Sequence, residues 1–435
     1  MKRAIILILA LATVLAAVPA AALAAGDATG SYLITNATVV PVSGPALERA
    51  AVLIVDGKIA AVGTGLAAPA GAKIIDGTGL FVYPGFIDAF TRFGLSEIGA
   101  VGATVDSREM GRENPEVKVV WAINPQSIHF GTSRVNGTTT ALVAPQGGTF
   151  PGIAALVKMD GWTLPEMAVR EDAASLINFP MTPRRSGEGG GAAASESKDD
   201  VTSKLVDRIK EYLDEARRYL TLKRTAAAAG QAVPAPDPKF EALAPVLEGK
   251  LPVILSVEKA KDIELAIRFV QEQKLKAIFR GCGQGFKVAD KIKKAGIPVI
   301  IDSLYTGPSD PEDGYDAPFR NVVELAKAGV TICFSSGEDP AAGKDLTYHA
   351  AKAIAFGLPR EEALKALTIN PAGVFGLSAQ LGSLEPGKDA DLFLTAGDPL
   401  DAKSEMKMMF INGRPIDMSN WWTDAYNKWK ARPIK

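Results

Sequence analysis

Between residues 83 and 380 the sequence repeats one kind of unit, and this repetition constrains the fold more than any other feature. Short, apolar, mostly β-branched runs recur: TTTALVAP, LPVILSV, LKAIFRG, IPVIIDS and VTICFSS. Amphipathic stretches such as KDIELAIRFVQEQ and FKVADKIKKAG lie between them, the second closing on lysines and a glycine, an ordinary helix stop. Strands apolar throughout must be covered on both faces, and helices returning over a parallel sheet do this. The expected class is therefore α/β, with a TIM-like (β/α)8 barrel as the leading architecture. A doubly wound open sheet is the alternative, but no Gly-rich phosphate loop follows any first strand.

The two ends read differently. Residues 31–82 are short strands and turns, with Asp56-Gly57 as a two-residue hairpin signal between apolar runs. A similar pattern returns in ADLFLTAGDP and MKMMFINGRP. These stretches, about 25–82 and 381–418, are expected to build one small sheet domain around a barrel of residues 83–380. Residues 184–200, RRSGEGGGAAASESKDD, read as a flexible insertion, and VDRIKEYLDEARRYLTLKR behind them as a long helix with a solvated, charged face.

The chain opens with Lys2 and Arg3, an apolar stretch from Ala4 to Val18, the breaker Pro19, and the small-x-small triplet Ala22-Leu23-Ala24. This is the pattern of a cleaved signal peptide covering residues 1–24, so the expected location is periplasmic or secreted. The two cysteines, Cys282 and Cys333, read as buried thiols, since a chain of 435 residues needs no staple. A formal net charge of −1 gives no basic footprint for nucleic acid. Membrane contact is expected only through the signal peptide.

Several motifs together carry a resemblance. LITNATVVPVSG, VLIVDGKIAAVG and IIDGTGLFVYPGFIDA at the start, and LKALTINPAGVFGL and LGSLEPGKDADLFLTAGDPLD at the end, resemble the amidohydrolase superfamily. The nearest branch is that of imidazolonepropionases and secreted dipeptidase-like members. The resemblance implies a distorted (β/α)8 barrel plus a small β-sandwich made from both chain ends. It also implies metal chemistry. Zinc or another divalent ion at the C-terminal mouth of the barrel lowers the pKa of a bound water, which attacks a C–N or ester carbon.

Carried over position by position, the implied ligands are missing. The His-x-His pair after strand 1 falls on Phe90-Thr91-Arg92; a phenyl ring donates no lone pair, and a guanidinium is always cationic. After strand 5, Ser256 and Glu258 stand where imidazoles are implied; after strand 6, Gly281, beside Arg280; after strand 8, Gly337. A register shift of one or two residues offers Glu338 or Asp339 at that last position instead. The chain has only two histidines; His129 and His349 read as helix or turn residues with surface or packing roles. Lys158, a candidate for carbamylation, is expected to point to solvent. Arg92 is expected to pair with Glu258 across the barrel mouth or, with Arg280, to bind an anionic ligand.

No cofactor is therefore expected. The primary expectation is a pseudoenzyme-like chain that binds a small molecule in the barrel mouth or assembles, as homo-oligomer or with an active relative. The alternative is a C–N hydrolase with a rebuilt site of Glu258 and Glu338 or Asp339. The tail, SNWWTDAYNKWKARPIK, places Trp422, Tyr426 and Trp429 on one side of a helix. This stripe is expected to pack on the barrel or the small sheet, with a partner surface as the alternative.

Overall fold

The computed structural model describes residues 30–181 and 198–433. The expected signal peptide and most of the expected insertion lie outside the described residues; residues 198–200 open the helix Lys198–Ala228.

Five strands precede the barrel: β1 (Tyr32–Val39), β2 (Leu47–Val55), β3 (Lys58–Gly63), β4 (Lys73–Asp76) and β5 (Phe81–Pro84). The barrel strands are β6 (Phe86–Thr91), β7 (Thr138–Val143), β8 (Ile153–Lys158), β9 (Ala168–Ile177), β10 (Val253–Val257), β11 (Ala277–Gly281), β12 (Val299–Ile301) and β13 (Ile332–Phe334). The chain then returns to the first sheet with β14 (Leu392–Thr395), β15 (Met406–Ile411) and β16 (Arg414–Pro415). Both ends of the chain thus share one sheet, in the order β16-β15-β14-β5-β1-β2-β3 with β4 on β1.

Two hairpin tips lock that sheet together. Asp56-Gly57 joins β2 to β3 and Asn412-Gly413 joins β15 to β16, each with φ positive at both residues, as a type I′ turn requires. The tips meet: a Cβ on Gly413 would stand 2.6 Å from the Cα of Gly57, so only glycine fits there.

In the barrel sheet, strand order follows chain order from β6 to β13. Most neighbours are parallel, but β8 runs antiparallel to both β7 and β9. The third position is thus a meander, not a βα unit, and this is the distortion from a regular (β/α)8 barrel. β6, β7, β8, β12 and β13 are buried at every residue. Ile87, Phe90, Leu142, Leu156, Ile254 and Ile278 fill the interior, while Val143, Val253, Phe279 and Val299 belong to the shell packed by helices. The long helix contributes Val206, Ile209 and Leu213 to that outer shell. Helix Ala289–Ala295 stops at Gly296 in the left-handed region, as its sequence implied.

Two expectations fail. Lys158 does not face solvent: its side chain is buried and bonds Asp389 (2.9 Å) and Asp391. Because β8 runs backwards, its C-terminal end lies at the mouth opposite the strand ends that carry Arg92 and Arg280. There it meets the chain entering β14. The aromatic tail also differs. Helix Trp421–Lys430, capped by Asn420 and Thr423, buries none of its residues. It meets the barrel along the segment Ile128–Arg134, while Phe393 packs on both Tyr83 and Phe86 between the small sheet and the barrel.

Candidate functional site

The C-terminal ends of β6, β10, β11, β12 and β13 converge at one mouth, the functional face of such barrels. Arg280, the next-to-last residue of β11, is its centre. Its Nε and Nη2 reach the two carboxylate oxygens of Asp302 at 3.0 and 2.9 Å, a bidentate pair. Its Nη1 donates to Glu338 at 2.8 Å. The guanidinium lies over the Phe90 ring with its carbon 3.7 Å from the centroid. Arg92 closes on the other oxygen of Glu338. Two cations and two carboxylates thus neutralise one another across β6, β11, β12 and β13.

Electrostatics follow from this packing. Burial alone would raise the Glu338 carboxyl, but Arg280 and Arg92 together hold it below its usual range. Burial would likewise depress Arg280, yet Asp302 and Glu338 push it up. Both groups stay charged throughout the physiological range.

A second contact seals the barrel. Asp88 of β6 is fully buried and accepts from the Ser336 amide (3.1 Å), the Ser336 hydroxyl (2.5 Å) and the Phe90 amide (3.2 Å). Ser336 follows β13, so this carboxyl joins the first barrel strand to the last. Burial pushes Asp88 up to about 7, against the pull of those three hydrogen bonds.

The remaining sequence candidates scatter. Glu258 follows β10 and accepts from the Ser309 hydroxyl at 2.6 Å and the Gly283 amide at 3.4 Å. The expected partner of Arg92 was Glu258; it is Glu338, because β13 adjoins β6 at the seam while β10 lies across the barrel. Ser256 is half-buried within β10. Gly281 turns the chain at φ 88°, and Gly337 does the same after β13. Asp339 faces away from the network and caps the turn Pro340–Asp345 through the Ala341 amide. A hollow of about 50 Å³ between Glu258 and Asp302, lined by Gly281, Gly283 and Ser309, holds a few waters at most.

Neither histidine bonds to the Arg280 network. His129 Nε2 bonds the Glu97 carbonyl at 3.1 Å, and His349 Nδ1 accepts from the Leu304 amide at 3.3 Å. Cys282 and Cys333 are both free and buried, and burial raises both thiols.

A family model described as the amidohydrolase family matches residues 316–418. A crystal structure of an amidohydrolase from Thermotoga maritima MSB8 superposes with a TM-score of 0.79 at 28% identity, over 89% of this chain and 99% of that one. The chain belongs to the amidohydrolase superfamily. Amidohydrolase tasK of Hapsidospora irregularis is 22% identical over 397 residues, 84% of this chain but only 39% of that protein's length. Phenylurea hydrolase B shares the fold, with a TM-score of 0.55 at 17% identity over 89% of this chain and 97% of that one.

Within this amidohydrolase barrel, the residues at the implied ligand positions do not fit a divalent ion. Phe90 offers a π face already taken by Arg280, Arg92 is a cation, Gly281 and Gly337 have no side chain, and Glu258, the one carboxylate among these positions, accepts from Ser309 and Gly283. Among the described residues no three His, Cys, Asp or Glu side chains are grouped as a metal site. Sequence reasoning missed Asp302 and Asp88. Asp302 ends the run IPVIID, and a charged residue at the C-terminal end of an apolar barrel strand was the available signal. Asp88, inside the apolar run FIDAF, was the other.

Proposed function

We propose that this amidohydrolase-superfamily chain is catalytically silent and serves as a ligand-binding or partner subunit. In this reading a network of its own side chains stands where active relatives hold a divalent ion. One observation carries it: Arg280 lies on Phe90 and is joined to both Asp302 and Glu338. A metal brought here would meet two guanidinium groups, and at about 4 Å two unit cations repel by several kcal/mol at protein-like dielectric. The imidazolonepropionase-like branch belongs to the same reading, supported by the opening and closing motifs.

The alternative of a rebuilt acid–base pair finds less support. A general acid or base works best with a pKa near the operating pH. Glu338 is held ionised by two arginines, and Asp339 caps a turn.

Elemental analysis of the purified protein, combined with assays on amide, dipeptide and ester substrates with and without added zinc or manganese, tests the proposal. The expected result is metal well below one equivalent and no turnover above background. About one chelator-resistant metal per chain, or turnover that disappears in Glu338→Gln, would overturn it.

A further inference from the structure

All five tryptophans of this chain are exposed. Tryptophan is large and mostly apolar, and five solvated copies are unusual for a chain with so large a core. Three of them, with Tyr426, lie on the helix Trp421–Lys430, where Trp421, Trp422, Tyr426 and Trp429 are 57–63% exposed. At about 100° per residue, Trp422, Trp429 and Tyr426 form one stripe, with Trp421 and Ala425 adjoining. Lys428 and Lys430 fall on its two borders, and Asp424 on the far side. The cations hug the stripe, Lys428 over the Trp429 ring at 5.4 Å and Lys430 over Tyr426 at 5.5 Å.

The patch continues onto the barrel. The helix meets the segment Ile128–Arg134, and between them lies a hollow of about 280 Å³ lined by Ile128, Gly131, Gly161 and Trp421. Ile128 is 51% exposed, and Trp162, next to Gly161 in the chain, is 86% exposed. Gly161 and Trp162 follow Lys158 at the end of β8.

We propose that this face docks on an anionic lipid surface. Trp and Tyr concentrate where apolar and aqueous phases meet, and lysines bordering such a stripe lay their stems along it while the ammonium groups reach the headgroups. An apolar stripe bordered by Lys is the pattern of a helix lying in the interface plane. Among the described residues no helix is long and apolar enough to cross a membrane, so the contact is with the surface. Charge selects lipid over a second copy. In a two-fold dimer the same patch meets itself, so a border carrying Lys428 and Lys430 would face another basic border and not an opposite charge. Anionic headgroups complement them.

Vesicle flotation tests this, using the chain from Ala25 onward because the apolar leader would itself bind lipid; both sheets lie wholly within that chain. Phosphatidylcholine vesicles are compared with vesicles containing phosphatidylglycerol. The chain is expected to float with the anionic vesicles, with a blue shift of tryptophan emission, and to release with salt. Trp422→Ala/Trp429→Ala should lower the bound fraction about tenfold or more. Lys428→Glu/Lys430→Glu should abolish the preference for anionic vesicles. Both variants should melt like the parent, since the helix buries nothing. No flotation, or flotation unaltered in both variants, overturns the proposal. So does light scattering that shows a dimer dissociating in the tryptophan variant without any vesicle binding; the face would then be a self-interface.

Discussion

The guanidinium carbon of Arg280 stands 3.7 Å from the centre of the Phe90 ring. Phe90 is thus the platform for a cation that the chain itself supplies, and Asp302 and Glu338 fix that cation from two further strands.

Removing Arg280 should therefore destabilise the barrel mouth. In Arg280→Ala the carboxylates of Asp302 and Glu338 lose their shared partner, and Arg92 reaches only the second. Loss of one partner from a buried pair costs about 3–5 kcal/mol, and the half-open carboxylates reduce this to about 2–3. Urea denaturation reads the change. Arg280→Met with Glu338→Gln should recover part of it, because fewer charges are then stranded.

Asp88 and His349 should give opposed pH dependences. Asp88 is raised from 3.8 to about 7, so between those values the folded chain holds the extra proton and stability falls as pH rises. His349 is lowered from 6.5 to about 4 by burial, against the attraction of Asp345 and Asp302. Between those values the unfolded chain holds the extra proton and stability rises with pH. Each slope is about 1.4 kcal/mol per pH unit, so from pH 4 to 6.5 the two contributions should nearly cancel. Asp88→Asn should leave a rising profile, and His349→Asn, whose amide oxygen can accept from Leu304, a falling one. Unfolding midpoints measured across this range decide the matter; parallel profiles for the two variants would contradict the assignment.

Lys158 is a buried ionic tie between barrel and small sheet. Lys158→Met leaves Asp389 and Asp391 buried, with Lys58 reaching only Asp389, at 2.5 Å. The expected loss is about 3 kcal/mol or more, seen as a lower urea midpoint. Intact mass should show an unmodified lysine, since this residue faces away from the Arg280 mouth.

Gly413→Ala should be costly for its size. The residue has φ +70°, and an added Cβ would press on the Gly57 backbone. The two hairpin tips would have to separate, at an expected cost of about 1–3 kcal/mol, with loss of amide protection in β15 and β16 as the local signature.

What the sequence by itself determined was local or periodic. Hairpin tips at Asp56-Gly57 and the apolar strand runs follow from backbone preference and burial on both faces, and neither depends on a distant partner. That Phe90, Arg92 and Gly281 carry no imidazole is equally read from the sequence; that they stand at ligand positions rests on the family resemblance. What the tertiary structure decided was pairing and direction. Glu338 rather than Glu258 meets Arg92, since the barrel seam brings β13 beside β6. Glu338 rather than Asp339 joins the network, since backbone direction after Gly337 aims one inward and spends the other on a cap. Lys158 is buried because β8 runs antiparallel, which sends its end to the other mouth. The tryptophans of the tail stay exposed because the helix Trp421–Lys430 buries none of its residues where it meets the segment Ile128–Arg134. Charge pairing and burial depend on separations in space between residues far apart in the chain, and only the folded backbone sets those separations.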